Sequence, residues 1–369
     1  MATLTRNALE EHAPEAIPAT MRAAVYRGVN EVRVETVPVP KIAAGEVLIR
    51  VHACGVCGTD LKKIHTGSHS APRIFGHETA GTIAAIGEDV ENFAVGDRVI
   101  VYHHVPCGHC YYCRKKTFAQ CNAYKRVGCT AGFEPSGGGF AEYVRVMDWI
   151  VRRGLVRIPD HVPFDQAAFV EPVNTVLKGV RRLDLAPDET VLVIGQGPIG
   201  ILLAALSART GAKVLTSDLY PERHAIAAHY GLRYPIDASK EDVAAAAHAA
   251  SEGRGADAVI LAVGGNGLIR TAIESARPGG RVLFFAQTQH GEATFDPAVV
   301  CMDEVTLMGS YSSSFEIEND VEDLVFNGYR HGFDLTRLIS HRFALENSVE
   351  AIRVASTPTA ASMKIFIHP

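Results

Sequence analysis

The chain has 369 residues, 47% of them hydrophobic, and a formal net charge of -5 at pH 7. It can bury a sizeable core, most simply as two domains, and it has no basic footprint for nucleic acid. No apolar run reaches the roughly 18 residues of a membrane span. The opening segment, residues 1–20, carries one Arg and three Glu and lacks the features of a signal or transit peptide. It is expected to be an acidic extension on a cytoplasmic protein, a setting where clustered cysteines bind metal or do chemistry rather than form disulfides.

From Met21 to about Val170, MRAAVYR, VRVETVPV, EVLIRVHACG, ETAGTIAAIG and DRVIVYHH predict short strands between Gly- and Pro-containing turns, a β-rich, barrel-like half. Within it, RVHACGVCGTDLKK (50–63) crowds Cys54, Cys57, Thr59, Asp60 and Lys62 behind a strand. Twenty residues after Cys57, FGHETAG offers His77 and Glu78, and much later AAFVEPVNTVLKG offers Glu171. One thiolate, one imidazole and one carboxylate make a ligand set that leaves a fourth position open for water or substrate, as catalytic zinc requires. Between these segments, CGHCYYCRKKTFAQC sets Cys107, Cys110, Cys113 and Cys121 at C-x2-C-x2-C-x7-C. Four thiolates close a tetrahedron around a structural Zn²⁺, with an iron–sulfur cluster as the alternative. Cys54, Cys129 and Cys301 read as small buried hydrophobes, Trp149 as a packing residue, and His103 or His104 as a possible pocket wall.

Past Pro187 the rhythm becomes strand, helix, strand. ETVLVIGQGPIGILLAALSARTGAKVLTSD is an apolar strand, a Gly-rich turn, a helix and a second strand. PERHAIAAHYG, EDVAAAAHAASEG, GADAVILAV, GLIRTAIESARPGG and RVLFFAQ continue it, which predicts a parallel sheet with helices on both faces. Gly195, Gly197 and Gly200 form G-x-G-x-x-G directly after VLVIG, with Pro198 and Ile199 inside the turn. The first glycine allows a tight turn, the second admits a pyrophosphate, and the third lets the helix pack on the strand. Asp218 closes the next strand eighteen residues after Gly200. A carboxylate there binds a ribose 2′-hydroxyl and repels a 2′-phosphate, which favours NAD over NADP. Arg223 stands close enough to flank the adenine. After Ser310, IENDVEDLVFNGYRHG predicts a helix, RFALENSVEAIRVAS follows, and SMKIFIHP predicts a final strand.

GVCGTDLK, GHETAG, VGDRV, the four-cysteine segment, Glu171–Pro172 and VIGQGPIG through Asp218 together resemble the zinc-dependent medium-chain dehydrogenases, in particular the sorbitol/L-iditol 2-dehydrogenase-like branch. The resemblance spans about Met21 to Pro369. It implies a two-domain α/β protein: a catalytic domain with a chaperonin-10-like β-barrel (21–174, with a structural zinc lobe near 103–125), a doubly wound Rossmann domain (175–311), and a return to the catalytic domain (312–369). It implies two zinc ions per chain, NAD, a small alcohol or polyol substrate and a homo-oligomer, tetramer or dimer. Residue by residue, it makes Cys57 and His77 zinc ligands, with Glu78 or Glu171 as the third. Thr59 becomes the hydroxyl that starts proton removal, Asp60 the carboxylate supporting His77, and Thr175 a nicotinamide contact. Relatives carry His where this chain has Lys62, which makes Lys62 or water the end of the proton relay. Animal sorbitol dehydrogenases place a polyol-binding Arg where this chain has Ser312 and Ser313.

The expected reaction is reversible oxidation of a secondary alcohol (polyol, sugar or cyclitol) to a ketone. An L-threonine 3-dehydrogenase-like or simple secondary-alcohol enzyme is the alternative within the class. A non-catalytic NAD-binding or structural descendant is the alternative outside it.

Overall fold

The computed structural model describes residues 16–286 and 290–369. Most of the expected N-terminal extension, residues 1–15, lies outside them.

The nucleotide half is built on short, strongly apolar strands. Thr190–Ile194, Lys213–Asp218, Tyr234–Asp237, Ala256–Leu261, Ala276–Phe284 and Thr306–Gly309 pair in parallel. Numbered along the chain, their order across the sheet is 3-2-1-4-5-6. Parallel neighbours need crossovers, and helices Pro198–Ala208, Pro221–Ala228, Val243–Ala250 and Gly267–Ser275 supply them. Helices on both faces demand apolar residues on both faces, and all five residues of Thr190–Ile194 are buried. The order reverses between Thr190–Ile194 and Ala256–Leu261, which leaves a crevice at their carboxyl ends. This is the Rossmann arrangement expected from the fingerprint.

The β-rich half holds an eight-stranded, mostly antiparallel sheet whose centre pairs Val47–Gly55 with Glu78–Ile86. A three-stranded sheet, Glu31–Pro38, Thr20–Gly28 and Arg73–Ile74, lies in the same half. The last strand, Lys364–His368, returns to pair with Val47–Gly55. The strand-only expectation for this half missed helix Gly58–Thr66, a polar stretch whose one buried apolar side chain, Ile64, gives almost no periodic signal.

A second helix was hidden in an apolar run. AAFVEPVNTVLKG has no alternation to mark it, yet Val170–Leu183 is a 14-residue helix. Val173, Val176, Val180 and Leu183 recur every three or four residues and are buried. Pro172 is tolerated because it lies in the first turn, where its missing N–H has no intrahelical partner. These side chains belong to one buried cluster with Ala53, Ala80 and Phe366 of the β-rich half and Ile201 and Leu283 of the nucleotide half. Each buried Val or Leu contributes roughly 1.5–3 kcal/mol, so the helix fixes the two halves against each other. Cys54 and Cys129 are buried as expected, and Trp149 is half-buried with Arg126 stacked over its ring. Cys301 is not buried: it lies exposed on the short helix Pro297–Met302, which buries none of its residues. No helix among the described residues is long and apolar enough to cross a membrane.

Candidate active site

Strand pairing brings the first two motifs together. In the ladder, Gly55 stands opposite Glu78 and Cys54 opposite Thr79. Cys57 lies two residues past one strand and His77 one residue before the other, so both reach the same spot. The Cys57, His77 and Glu78 ligand atoms all lie within 4.8 Å of one another. Cys57 caps helix Gly58–Thr66, its sulfur accepting from Thr59 N at 3.5 Å. Asp60, fully buried in the first turn, contacts His77 Nδ1 at 3.0 Å. Burial pushes Asp60 up, but the charge and hydrogen bond of His77 outweigh it and the net direction is down. An ionised carboxylate only accepts, so Nδ1 carries the ring proton and Nε2 is left to act as ligand. Burial pulls His77 down, and the charges of Asp60 and Cys57 with their hydrogen bonds more than reverse this.

Glu78 is held from its other side. Lys364, in the terminal strand, forms a buried ion pair with Glu78 Oε2 and donates to Val56 O at 3.2 Å. Gly55 is the only residue that fits between them: a Cβ there would overlap Glu78 Oε2 and lie 2.8 Å from Lys364 Cε. The sequence reading missed Lys364, although a lysine inside the apolar run SMKIFIHP is a signal, because a buried lysine needs a counter-charge.

Glu171 stands outside the three-residue group but lines the same cavity. It sits in the first turn of Val170–Leu183, where a carboxylate meets the positive helix end. Ser313 Oγ donates to it at 3.5 Å. Burial, with Glu78 as a like charge, pushes its carboxyl up. The cavity, about 390 Å³, is also lined by Thr59, Lys63, His103 and His104 from the β-rich half, and by Thr175, Ile199, Ala262 and Phe285 from the other. Both histidines therefore line it. Burial pushes His104 down to about 4 and holds His103 well below the usual imidazole value, which favours the neutral ring at both. Lys62 lines an adjoining cavity instead.

The Gly-rich turn opens on the same crevice. Gly195 has φ 95°, a left-handed turn beside Val263. Gly197 caps helix Pro198–Ala208 and has nothing within 4 Å of its Cβ position, leaving room for a phosphate. Gly200 packs so tightly that a Cβ would overlap the Gly195 carbonyl. Asp218 accepts from Gln196 N at 2.6 Å, Tyr220 N at 2.9 Å and Arg223 Nη1 at 3.3 Å. Cys57 and Glu171 thus lie at two helix N-termini that line the cavity, and Ile199, from the start of helix Pro198–Ala208, lines it as well.

The four lobe cysteines lie apart from this cavity, with their ligand atoms within 4.8 Å of one another. Sγ separations are 3.5 Å (Cys110–Cys113), 3.7 Å (Cys107–Cys121) and 3.9 Å (Cys107–Cys113). A ZnS₄ tetrahedron with bonds of about 2.3 Å has edges of about 3.8 Å. The cage fits one ion and is too tight for a multi-iron cluster. Backbone N–H groups of His109 and Cys110 lower the Cys107 pKa, which favours the thiolate that a metal needs.

Comparison with known proteins agrees with this geometry. Residues 43–160 match the family described as Alcohol dehydrogenase GroES-like domain, and residues 198–327 match Zinc-binding dehydrogenase. The chain is 31% identical to D-arabinitol dehydrogenase 1 of Uromyces fabae, over 97% of this chain and 99% of that one. It is 29% identical to sorbitol dehydrogenase of Bacillus subtilis (strain 168), over 96% and 98%. A Sinorhizobium meliloti 1021 chain solved with NADP superposes with a TM-score of 0.84 at 28% identity, covering 95% of this chain and all of that one. The catalytic half is a GroES-like domain, the other a Rossmann-like sheet, and the chain belongs to the zinc-dependent medium-chain dehydrogenases, oxidoreductases of the alcohol dehydrogenase type that use zinc and a nicotinamide cofactor.

Proposed function

We propose that the protein oxidises a secondary alcohol of the polyol, sugar or cyclitol class to a ketone, reversibly, with NAD and two zinc ions per chain. The observation that carries this reading is the Cys57–His77–Glu78 group in a cavity also lined by Thr175, Ile199, Ala262 and Phe285. Cys57, His77 and Glu78 hold one zinc, with Glu171 as the carboxylate facing them, and Cys107, Cys110, Cys113 and Cys121 hold the other. At the first site, zinc supplies Lewis-acid polarisation of the substrate hydroxyl, and NAD supplies the hydride acceptor.

The remaining work falls to the chain. Asp60 positions His77. Thr59, exposed in the first helical turn, takes the hydroxyl proton and passes it to water. Thr175 and Ile199 set the nicotinamide against the substrate carbon, and closely packed apolar walls limit water. Gly195, Gly197, Pro198 and Gly200 hold the pyrophosphate. Asp218 takes the ribose hydroxyls and selects NAD, with Arg223 closing the adenosine end. The catalytic part takes in 21–174 and 312–369, and the nucleotide part 175–311. The outer edge of Thr306–Gly309, at the end of the parallel sheet, offers a surface for pairing with a second copy.

NADH formation across polyols, cyclitols, threonine and simple secondary alcohols tests the reading. Turnover on vicinal diols is expected. Turnover on threonine alone would overturn the polyol assignment, and no turnover on any alcohol would overturn the enzymatic one.

A further inference from the structure

Beside the catalytic cavity lies a second one, of about 670 Å³. The two share Phe285, Ser310 and Tyr311 as a common wall. Four cations line the second cavity: Lys62, Lys116, Lys178 and Arg182, with no carboxylate among its lining residues. They come from three separate places: the helix behind Cys57, the four-cysteine lobe, and two successive turns of Val170–Leu183. The whole chain carries a net charge of -5, so its composition does not explain a local excess of positive charge.

The arrangement concentrates positive charge beside the catalytic cavity. Lys178 and Arg182 stand four residues apart on one helix face, where like charges repel. Burial, and then the Arg182 charge, push Lys178 down to about 8. Lys178 donates to the carbonyls of Tyr311 at 2.7 Å and of Ser312 and Ser313 at 3.3 Å, so one of the cations also fixes the shared wall. Lys116 meets Glu316 at 2.8 Å, but both side chains are exposed and such a pair is weak. Arg182 forms no ion pair among the described residues. The charge is not the cofactor's, because none of Gly195, Gly197, Ile199, Asp218 and Arg223 lines this cavity.

We propose that the cavity lined by Lys62, Lys116, Lys178 and Arg182 binds the phosphate of the substrate, which is a polyol phosphate monoester whose secondary alcohol is oxidised in the adjoining catalytic cavity. The inference rests on the dehydrogenase reading above and narrows its substrate class. The carbinol carbon gives its hydride to NAD⁺ and its hydroxyl proton to solvent; the product is a keto phosphate with its P–O bonds untouched. Arg offers a planar fork to phosphate oxygens and Lys a point charge, and such charge-assisted hydrogen bonds are about twice as strong as neutral ones. Free amines such as threonine are disfavoured by the same four charges.

The test compares kcat/KM for sorbitol, sorbitol 6-phosphate and gluconate in the zinc-loaded protein and in the double variant Lys116→Glu/Arg182→Glu, with calorimetric binding of sorbitol 6-phosphate to the NADH complex of each. Both substituted residues are exposed, so the variant is expected to fold. The ester is expected to exceed sorbitol by about tenfold or more, and that ratio and the ester's affinity to fall at least about tenfold in the variant. Sorbitol oxidised as well as its ester, or a ratio unchanged in the variant, overturns the phosphate site while the dehydrogenase reading stands. Gluconate preferred over the ester assigns the cavity to a carboxylate and overturns the phosphate. Should none of the three turn over, calorimetry decides: binding that weakens in the variant supports the site, and equal or absent binding overturns it.

Discussion

Gly55 shows how little room the site leaves. Its backbone is pinned between two strands, paired with Glu78 on one side and Phe366 on the other. A methyl group there would press on the Glu78–Lys364 pair, and neither neighbour can retreat from a buried position without losing its partner. Gly55→Ala is therefore expected to lower zinc at the catalytic site and to cut kcat/KM by about a hundredfold, the usual cost of displacing a catalytic group by about 1 Å. NAD binding, read by fluorescence, should persist. Normal metal content and turnover would show that Glu78 can shift freely. Asp218 makes a second prediction at this scale. Its carboxylate occupies the Arg223 guanidinium, whose Nε has no partner and lies buried. Asp218→Ser removes the charge that repels a 2′-phosphate and frees Arg223 to receive one. The NAD-to-NADP ratio of kcat/KM should fall at least about tenfold; an unchanged ratio would place cofactor choice elsewhere.

The elements hold the site through a few long-range ties. Asp165, in the short helix Phe164–Ala167, accepts from Arg342 at 2.6 Å and contacts His368 at 2.7 Å, joining that helix to the two C-terminal strands. Burial raises its pKa, but the hydrogen bonds from His368 and Arg342 outweigh this and the net direction is down. A depressed carboxyl stabilises the fold above its unfolded value, near 3.9, and loses that contribution as pH falls through the folded value. Asp165→Asn should thus lower Tm by roughly 2 °C at pH 7, and the gap should close as the pH drops below about 4. A gap independent of pH would mean the tie is not ionic.

Over the whole molecule, some features were legible in the sequence and some were not, for physical reasons. The Rossmann half was readable because its rules are local: glycines at fixed offsets, apolar strands, and a carboxylate one strand later. The four-cysteine cage was readable because its ligands lie within fifteen residues. The ligand motifs at Cys57 and His77 were also local, although what joins them is the register of two strands. Helix Val170–Leu183 did carry a helical signal, since Val173, Val176, Val180 and Leu183 recur every three or four residues, but the apolar run before it and Pro172 in its first turn obscured where it begins. The partner of Lys364 and the cationic cavity were unreadable for a different reason. The pairing of Lys364 with Glu78, and of Lys62 and Lys116 with Lys178 and Arg182, exists only once the last strand has returned and the two halves have docked. The candidate metal ligands lie in motifs, while the four cations of the second cavity are distributed over the fold.

The central claim is that Cys57 belongs to a catalytic zinc site separate from the four-cysteine lobe. Zinc content, NADH formation from a secondary alcohol and NAD binding, measured together on the wild type and on Cys57→Ser, test it most directly. The account predicts two zinc ions per chain and turnover in the wild type, and one zinc ion, no turnover and intact NAD binding in the variant. Two zinc ions or undiminished turnover in Cys57→Ser would contradict it.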